Sequence, residues 1–176
     1  MMVIILILAF VIVYAIGLYN GFIRKMNAVE QARSGIEVAL TKRYDMLTKM
    51  RDVAKGYAVH EKEVFAQVIA MRRGMSLDEM KTADDSMSKA YSEVMAVVEA
   101  YPQLASNQVF KELQISIRDA EDHLQAARRA YNVCVTTYNN AIEMFPSRII
   151  AEYRGCRKAQ LFEGSAEKMN DVSMKF

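Results

Sequence analysis

Few residues in this chain have the types and spacing that catalysis demands. His60 and Glu61 are adjacent, so on a helix they point to different sides. No His stands four residues further on to complete the paired-imidazole motif of zinc proteases. His123 stands alone beside Glu121 and Asp122, and the plain reading there is a solvated helix face. Carboxylates are plentiful, but no pair stands out from such a face as an acid and base would have to. There is no glycine-rich phosphate loop. Cys134 and Cys156 are too few for a disulfide framework. Cys134 falls on an apolar helical seam and reads as a small buried hydrophobe, and Cys156 has no partner in the pattern. A net charge of +2 argues against a general nucleic-acid binder, which carries a strongly basic domain. The chain reads as no enzyme, with no catalytic residue, metal site, cofactor or small-molecule substrate.

The elements that position these residues are helices. Only 7 Gly and 2 Pro occur in 176 residues, too few to punctuate a sheet of short strands. Met1 to Tyr19 has no charged side chain, and most of Val3 to Leu18 is Leu, Ile, Val or Phe. A helix of about 19 residues rises roughly 28 Å, close to the hydrocarbon thickness of a bilayer. The apolar side chains contribute roughly −4 to −7 kcal/mol toward insertion, an upper limit because end positions count less. A cleaved signal peptide would want a basic segment before the apolar run and a small-residue cleavage site. No Lys or Arg precedes the run, and Ala15-Ile16-Gly17 is a weak site. Arg24, Lys25 and Arg33 follow the span, so the positive-inside rule puts the N-terminus outside and the rest in the cytoplasm.

Beyond the span, a seven-residue repeat runs through Val29, Ile36, Arg43, Met50, Tyr57, Val64 and Met71. A second row, offset by four, reads Arg33, Leu40, Leu47, Ala54, Glu61 and Val68. Two such rows make one packing stripe on a helix. Gly74, Ser76, Asp78, Thr82, Asp84 and Asp85 break the pattern, and Asp84 or Asp85 suits the cap of the next helix. Met87, Tyr91, Val94, Val98 and Tyr101 share a face before Pro102. From about Ser106 or Asn107, large residues (Phe110, Ile117, Leu124, Tyr131, Tyr138, Phe145) alternate with Leu113, Ala120, Ala127, Cys134 and Ala141 until Pro146. The predicted fold is all-α, an N-terminal transmembrane helix continuing into an antiparallel three- or four-helix bundle of long helices. Residues 1–19 form the span and 20–73 a long first helix. Residues 74–84 form a loop, 85–147 a helical hairpin completing the bundle, and 148–176 a short helix and tail.

Polar residues within the seams are the candidate structural network. Arg43, with Arg128 or Arg129, is expected to pair across the bundle with Glu121 or an Asn (Asn132, Asn139), fixing helix register. The alternative is that Arg43 runs its stem along the core and reaches solvent. Charge is uneven. Residues 20–73 carry 11 basic and 6 acidic groups, 74–122 carry 4 and 10, and 123–176 carry 8 and 5. In the antiparallel arrangement the acidic segment is a tip far from the bilayer and the basic segments face it. Arg24, Lys25, Arg148, Arg154, Arg157 and Lys158 are the candidate membrane-interface residues, with Ile149, Ile150, Tyr153, Leu161 and Phe162 as apolar neighbours. They read equally well as ordinary solvated charges. Met75, Met80, Met87 and Met95 suit adaptable surface contacts, although core filling is the favoured role.

The residues now in view resemble the LemA family of bacterial membrane proteins. The strongest stretch is Val97-Val98-Glu99-Ala100-Tyr101-Pro102-Gln103-Leu104, followed by Asn107, Phe110, Leu113-Gln114, Ile117 and Glu121. Ala127-Arg128-Arg129, Tyr131-Asn132, Tyr138-Asn139 and Phe145-Pro146 continue it. Weaker echoes are Tyr19-Asn20, Arg43 with Asp45, and Tyr57-Ala58 with His60-Glu61. The chain departs from the family where Thr48-Lys49-Met50 replaces a Pro-Asn-Leu step. Its tail keeps Phe162-Glu163, Val172 and Phe176 but lacks the family's aromatic and proline residues. The resemblance implies a divergent member anchored in a bacterial inner membrane, with an antiparallel bundle and a poorly defined role; some relatives are linked to envelope or organelle-membrane organisation. The expected function is a scaffold that partners the lipid bilayer and forms homo-oligomers. The alternative is an adaptor or regulator of a membrane-protein partner, such as an envelope protease or transporter, docked through the acidic tip.

Overall fold

The structure is a computed structural model, and residues 1–57, 71–72 and 74–162 are described. His60, Glu61, Val64 and Val68, and the tail residues Glu163, Val172 and Phe176, lie outside them. The described residues form five helices and no strand: α1 (Met2–Lys55), α2 (Leu77–Ala100), α3 (Pro102–Ser106), α4 (Gln108–Glu143) and α5 (Ser147–Tyr153). The chain divides into two units. The first comprises residues 1–34 and 129–161, the second residues 35–128 and 162 onward.

The apolar run makes α1 the one described helix long and apolar enough to cross a membrane, and no residue of that stretch is buried. The expected helix to residue 73 stops at Lys55. Gly56 and Tyr57 form a turn whose amides bond back to Val53 and Ala54. The expected loop to residue 84 is also shorter, because Ser76 starts α2. Its Oγ accepts from the Glu79 amide at 3.2 Å, and its own amide donates to Glu79 Oε2 at 2.7 Å. This reciprocal box satisfies two amides that a helix start leaves open. Gly74, at φ +76°, provides the left-handed residue that precedes it.

In the second unit the chain direction differs from the expected hairpin. The Gly74 amide bonds to Glu37 Oε1 at 2.9 Å, and Asn107 Nδ2 bonds to Tyr57 Oη at 3.0 Å. Thus α2 starts level with Glu37, its far end meets the Tyr57 level, and it runs parallel to α1. α4 begins there and runs antiparallel to both, with Asn107 capping it through the Phe110 amide. The acidic segment therefore lies along the length of this unit rather than at its tip. The expected tip followed from continuing α1 to residue 73, which forces α2 to return. Ile36, Leu40, Leu47, Met50, Met80, Met87, Val94, Leu104, Phe110, Ile117 and Leu124 fill the core. Met75, Met80 and Met87 are core residues, as favoured above.

In the first unit Phe22 packs on Tyr138, ring centroids 5.6 Å apart, with Ala141 and Ala151. Asn139 clamps the segment after α5. Its Oδ1 accepts from the Ala159 amide at 2.9 Å, and its Nδ2 donates to the Ala159 carbonyl at 3.0 Å. Tyr131 Oη donates to the Gln160 carbonyl at 3.0 Å. Gly155, at φ +63°, ends α5, and the following Cys156 amide reaches back to the Ala151 carbonyl. Of the large seam row, Phe110, Ile117, Leu124, Tyr131 and Tyr138 are buried, but Phe145 is 80% exposed. α4 ends at Glu143, so the seven-residue spacing no longer sets the direction of residue 145.

Candidate functional site

The charges in the seams meet in the second unit. Arg43 and Asp84 are the buried charged residues there among those described. Arg43 Nη1 donates to Asp84 Oδ1 and, at 3.2 Å, to the Asp84 carbonyl. Its Nη2 pairs with Glu121 and donates to Ser88 Oγ at 3.1 Å. Arg128 Nη2 pairs with Asp84 Oδ2. Each carboxylate oxygen of Asp84 thus holds a guanidinium from a different helix, and one charge-balanced group joins α1, α2 and α4. Planar guanidinium forks suit such shared geometry. Arg128 also lies over the Phe162 ring, 5.0 Å from its centroid, and Lys81 lies 5.9 Å from the same ring.

The sequence reading named Arg43, Glu121 and Arg128, and the fold brings them together. Asp84, the hub, is one of the two residues, with Asp85, that the sequence offers as a helix cap. It lies in the third turn of α2, and Ser76 takes the cap. The signal available was Ser76-x-x-Glu79, a capping box that moves the helix start and turns Asp84 inward. Arg129 is exposed and stands outside the buried group. Asn139 serves the Ala159 clamp instead, and Asn132 is half-buried.

The candidate interface residues all belong to the first unit. Arg154 donates to Tyr19 Oη at 2.5 Å, with its guanidinium 5.7 Å from that ring centroid. This contact brings the end of α5 beside the end of the apolar run. Arg148 pairs with Glu152 at 2.7 Å, and that bond, with the nearby carboxylate charge, raises the guanidinium pKa further. Lys158 pairs with Glu143. Arg24 and Arg157 are exposed, and Lys25 is half-buried. The apolar neighbours Ile149, Tyr153 and Leu161 are exposed, whereas Phe162 is buried in the second unit. Cys156 packs against the Phe22 cluster, and Cys134 is half-buried. Burial raises the Tyr138 pKa, helped by its hydrogen bond with Cys156. His123 is exposed, and among the described residues no three of His, Cys, Asp and Glu converge as metal ligands would.

Long helices joined by buried charges, with one exposed apolar helix able to span a bilayer, define an all-α, membrane-associated bundle protein. The family follows from comparison. Residues 32–176 match the LemA family, and the chain belongs to it. It is 27% identical over 162 residues to the protein LemA of Metamycoplasma hominis, covering 89% of this chain and 74% of that one. It is 23% identical over 174 residues to the magnetosome protein MamQ of Magnetospirillum gryphiswaldense, covering 82% of this chain and 64% of that one. MamQ 2 of Paramagnetospirillum magneticum is likewise 23% identical, with 82% and 64% covered. At these identities the chain is a divergent member. Thr48-Lys49-Met50 lies inside α1 with Met50 buried.

Proposed function

We propose that this protein is a non-enzymatic scaffold, anchored by α1 in a bacterial inner membrane, that organises a membrane surface or protein assembly through homo-oligomers. One observation carries the reading. The helix that bears the fully exposed apolar run is the same unbroken helix that holds Arg43 in the buried charge group. Similarity to protein LemA and to two magnetosome proteins supports a membrane-associated role. The N-terminus lies outside and the bundle in the cytoplasm, because the basic residues Arg24, Lys25 and Arg33 follow the span. A C-terminal reporter active only outside the cytoplasm stays silent on this topology, and activity would reverse it.

The second reading is an adaptor for another membrane protein. It rests on the acidic segment, whose Asp78, Asp85, Glu99, Glu112, Asp119 and Asp122 are exposed. Light scattering of the full chain in mild detergent separates the two. The scaffold gives a mass of several 20.0 kDa chains, whereas the adaptor runs as a monomer and brings down a different protein.

A further inference from the structure

An apolar groove of about 760 Å³ lies within the first unit, between α1 and the end of α4. Tyr131 feels the charges of Arg33 and Glu30, and Tyr138 packs on Phe22, so α4 runs antiparallel to α1 here. The groove is graded in polarity. Val13, Tyr14 and Phe145 line one end, and Lys25, Thr137 and Asn140 line the other. From residue 13 to Tyr19, where the apolar run ends, the helix rises about 9 Å, and Lys25 stands about 9 Å beyond that end.

Gly17 and Gly21 form part of the groove wall, and a Cβ built on either would meet nothing within 4 Å. Among the described residues none packs directly against either glycine. Their missing side chains leave the groove open. Phe145, 80% exposed, lines the groove, and Tyr153, 92% exposed, precedes the Arg154 that bonds Tyr19 at the end of the apolar run. Such side chains are costly to hydrate but suit a membrane interface.

We propose that the groove holds one anionic phospholipid, its acyl chain along Gly17 and Gly21 and its phosphate at Lys25. The lipid comes from the leaflet in which the apolar run of α1 ends. Lys25 supplies the charge complement, and the apolar end lies where the bilayer places acyl chains. This rests on the membrane-anchor reading above and goes beyond general surface attraction by naming a saturable site.

The test uses the full chain in mild detergent, mixed with equimolar phosphatidylglycerol and phosphatidylcholine, and counts retained lipid by native mass spectrometry. The expected result is one phospholipid per chain, with phosphatidylglycerol favoured. A Gly17→Leu/Gly21→Leu variant fills the groove and should lose retention at least tenfold. Its melting temperature should hold or rise, because Leu favours helix over Gly. Lys25→Gln should keep a lipid but lose about fivefold in phosphatidylglycerol preference, the share of one basic group near a headgroup. Equal retention by the filled variant overturns the proposal. So does a filled variant that turns a dimer into a monomer with lipid unchanged, since a second copy would then own the groove. Carbonate extraction keeps the two readings apart. Release from the membrane defeats the anchor, whereas a resistant chain without saturable lipid defeats the groove alone.

Discussion

Replacing Asp84 by Asn keeps the side chain's shape and removes the charge that two guanidiniums share. Side-chain exposure is 5% for Arg43, 11% for Asp84, 17% for Arg128 and 33% for Glu121. The four charges balance, and the variant leaves two cations facing one carboxylate. Breaking a buried pair typically costs about 3–5 kcal/mol because the remaining charge stays desolvated. Arg128 and Glu121 retain some water, which puts the expected cost near the lower limit, about 3 kcal/mol. With a urea slope of about 2 kcal/mol/M, the midpoint should fall by roughly 1.5 M. Urea unfolding of the full chain in mild detergent, followed by helical circular dichroism, reads this directly. Exchanging Arg43, Asp84, Arg128 and Glu121 together for apolar residues of similar size should recover most of the loss. A cost below about 1 kcal/mol for Asp84→Asn would show that water, not the three helices, surrounds the group.

Arg43→Met should loosen the register of α1 against α2 and α4 without abolishing helicity; an unchanged or higher melting temperature with native packing would rule out a register role. Ser76→Ala should cost about 1 kcal/mol of stability by removing the cap, measured by urea titration. Glu79 sits below the ordinary carboxylate range, chiefly through its backbone bond at Ser76 and then through Arg72. Its contribution is present above the ordinary value and is lost as pH falls through the lowered one. Glu79→Gln should therefore flatten the acid limb of a stability profile, and an unaltered limb would exclude it. Tyr131 and Tyr138 are pushed upward by burial, so their contribution holds below about pH 10 and fades as pH rises through the raised values. Tyr138→Phe should soften that alkaline loss. Gly155→Val puts a branched residue at φ +63° and should lower stability by at least 1–2 kcal/mol, roughly the left-handed penalty; a melting temperature within error of wild type would count against the turn.

Much of the architecture was legible where a seven-residue spacing ran uninterrupted. Ile36, Leu40, Leu47 and Met50 on α1, and Phe110 to Tyr138 on α4, are buried along the stripes their spacing defines. The pattern misleads where it continues past a helix end. Val64 and Met71 extend the α1 row on paper, yet the helix stops at Lys55. Phe145 extends the α4 row, yet lies in the turn after Glu143. That first overrun also reversed the direction assigned to α2 and made the acidic segment a tip. Arg43 could be picked out because a charge in an apolar seam must be partnered, and Glu121 and Arg128 as charges beside the seams of the facing helix. Asp84 could not, because its inward direction depends on where α2 starts, and that start is set by the side chains of Ser76 and Glu79. The groove at Gly17 and Gly21 was not legible at all. In a transmembrane run small residues more often admit a partner helix, and the open space beside them within this chain shows only in the fold.

The scaffold reading is tested most directly by crosslinking the full chain in its native membrane with a lysine-reactive reagent, then sizing and identifying the products. The expected product is a ladder at multiples of 20.0 kDa composed of this chain alone. A single product pairing one chain with a different membrane protein, and no ladder, would contradict it.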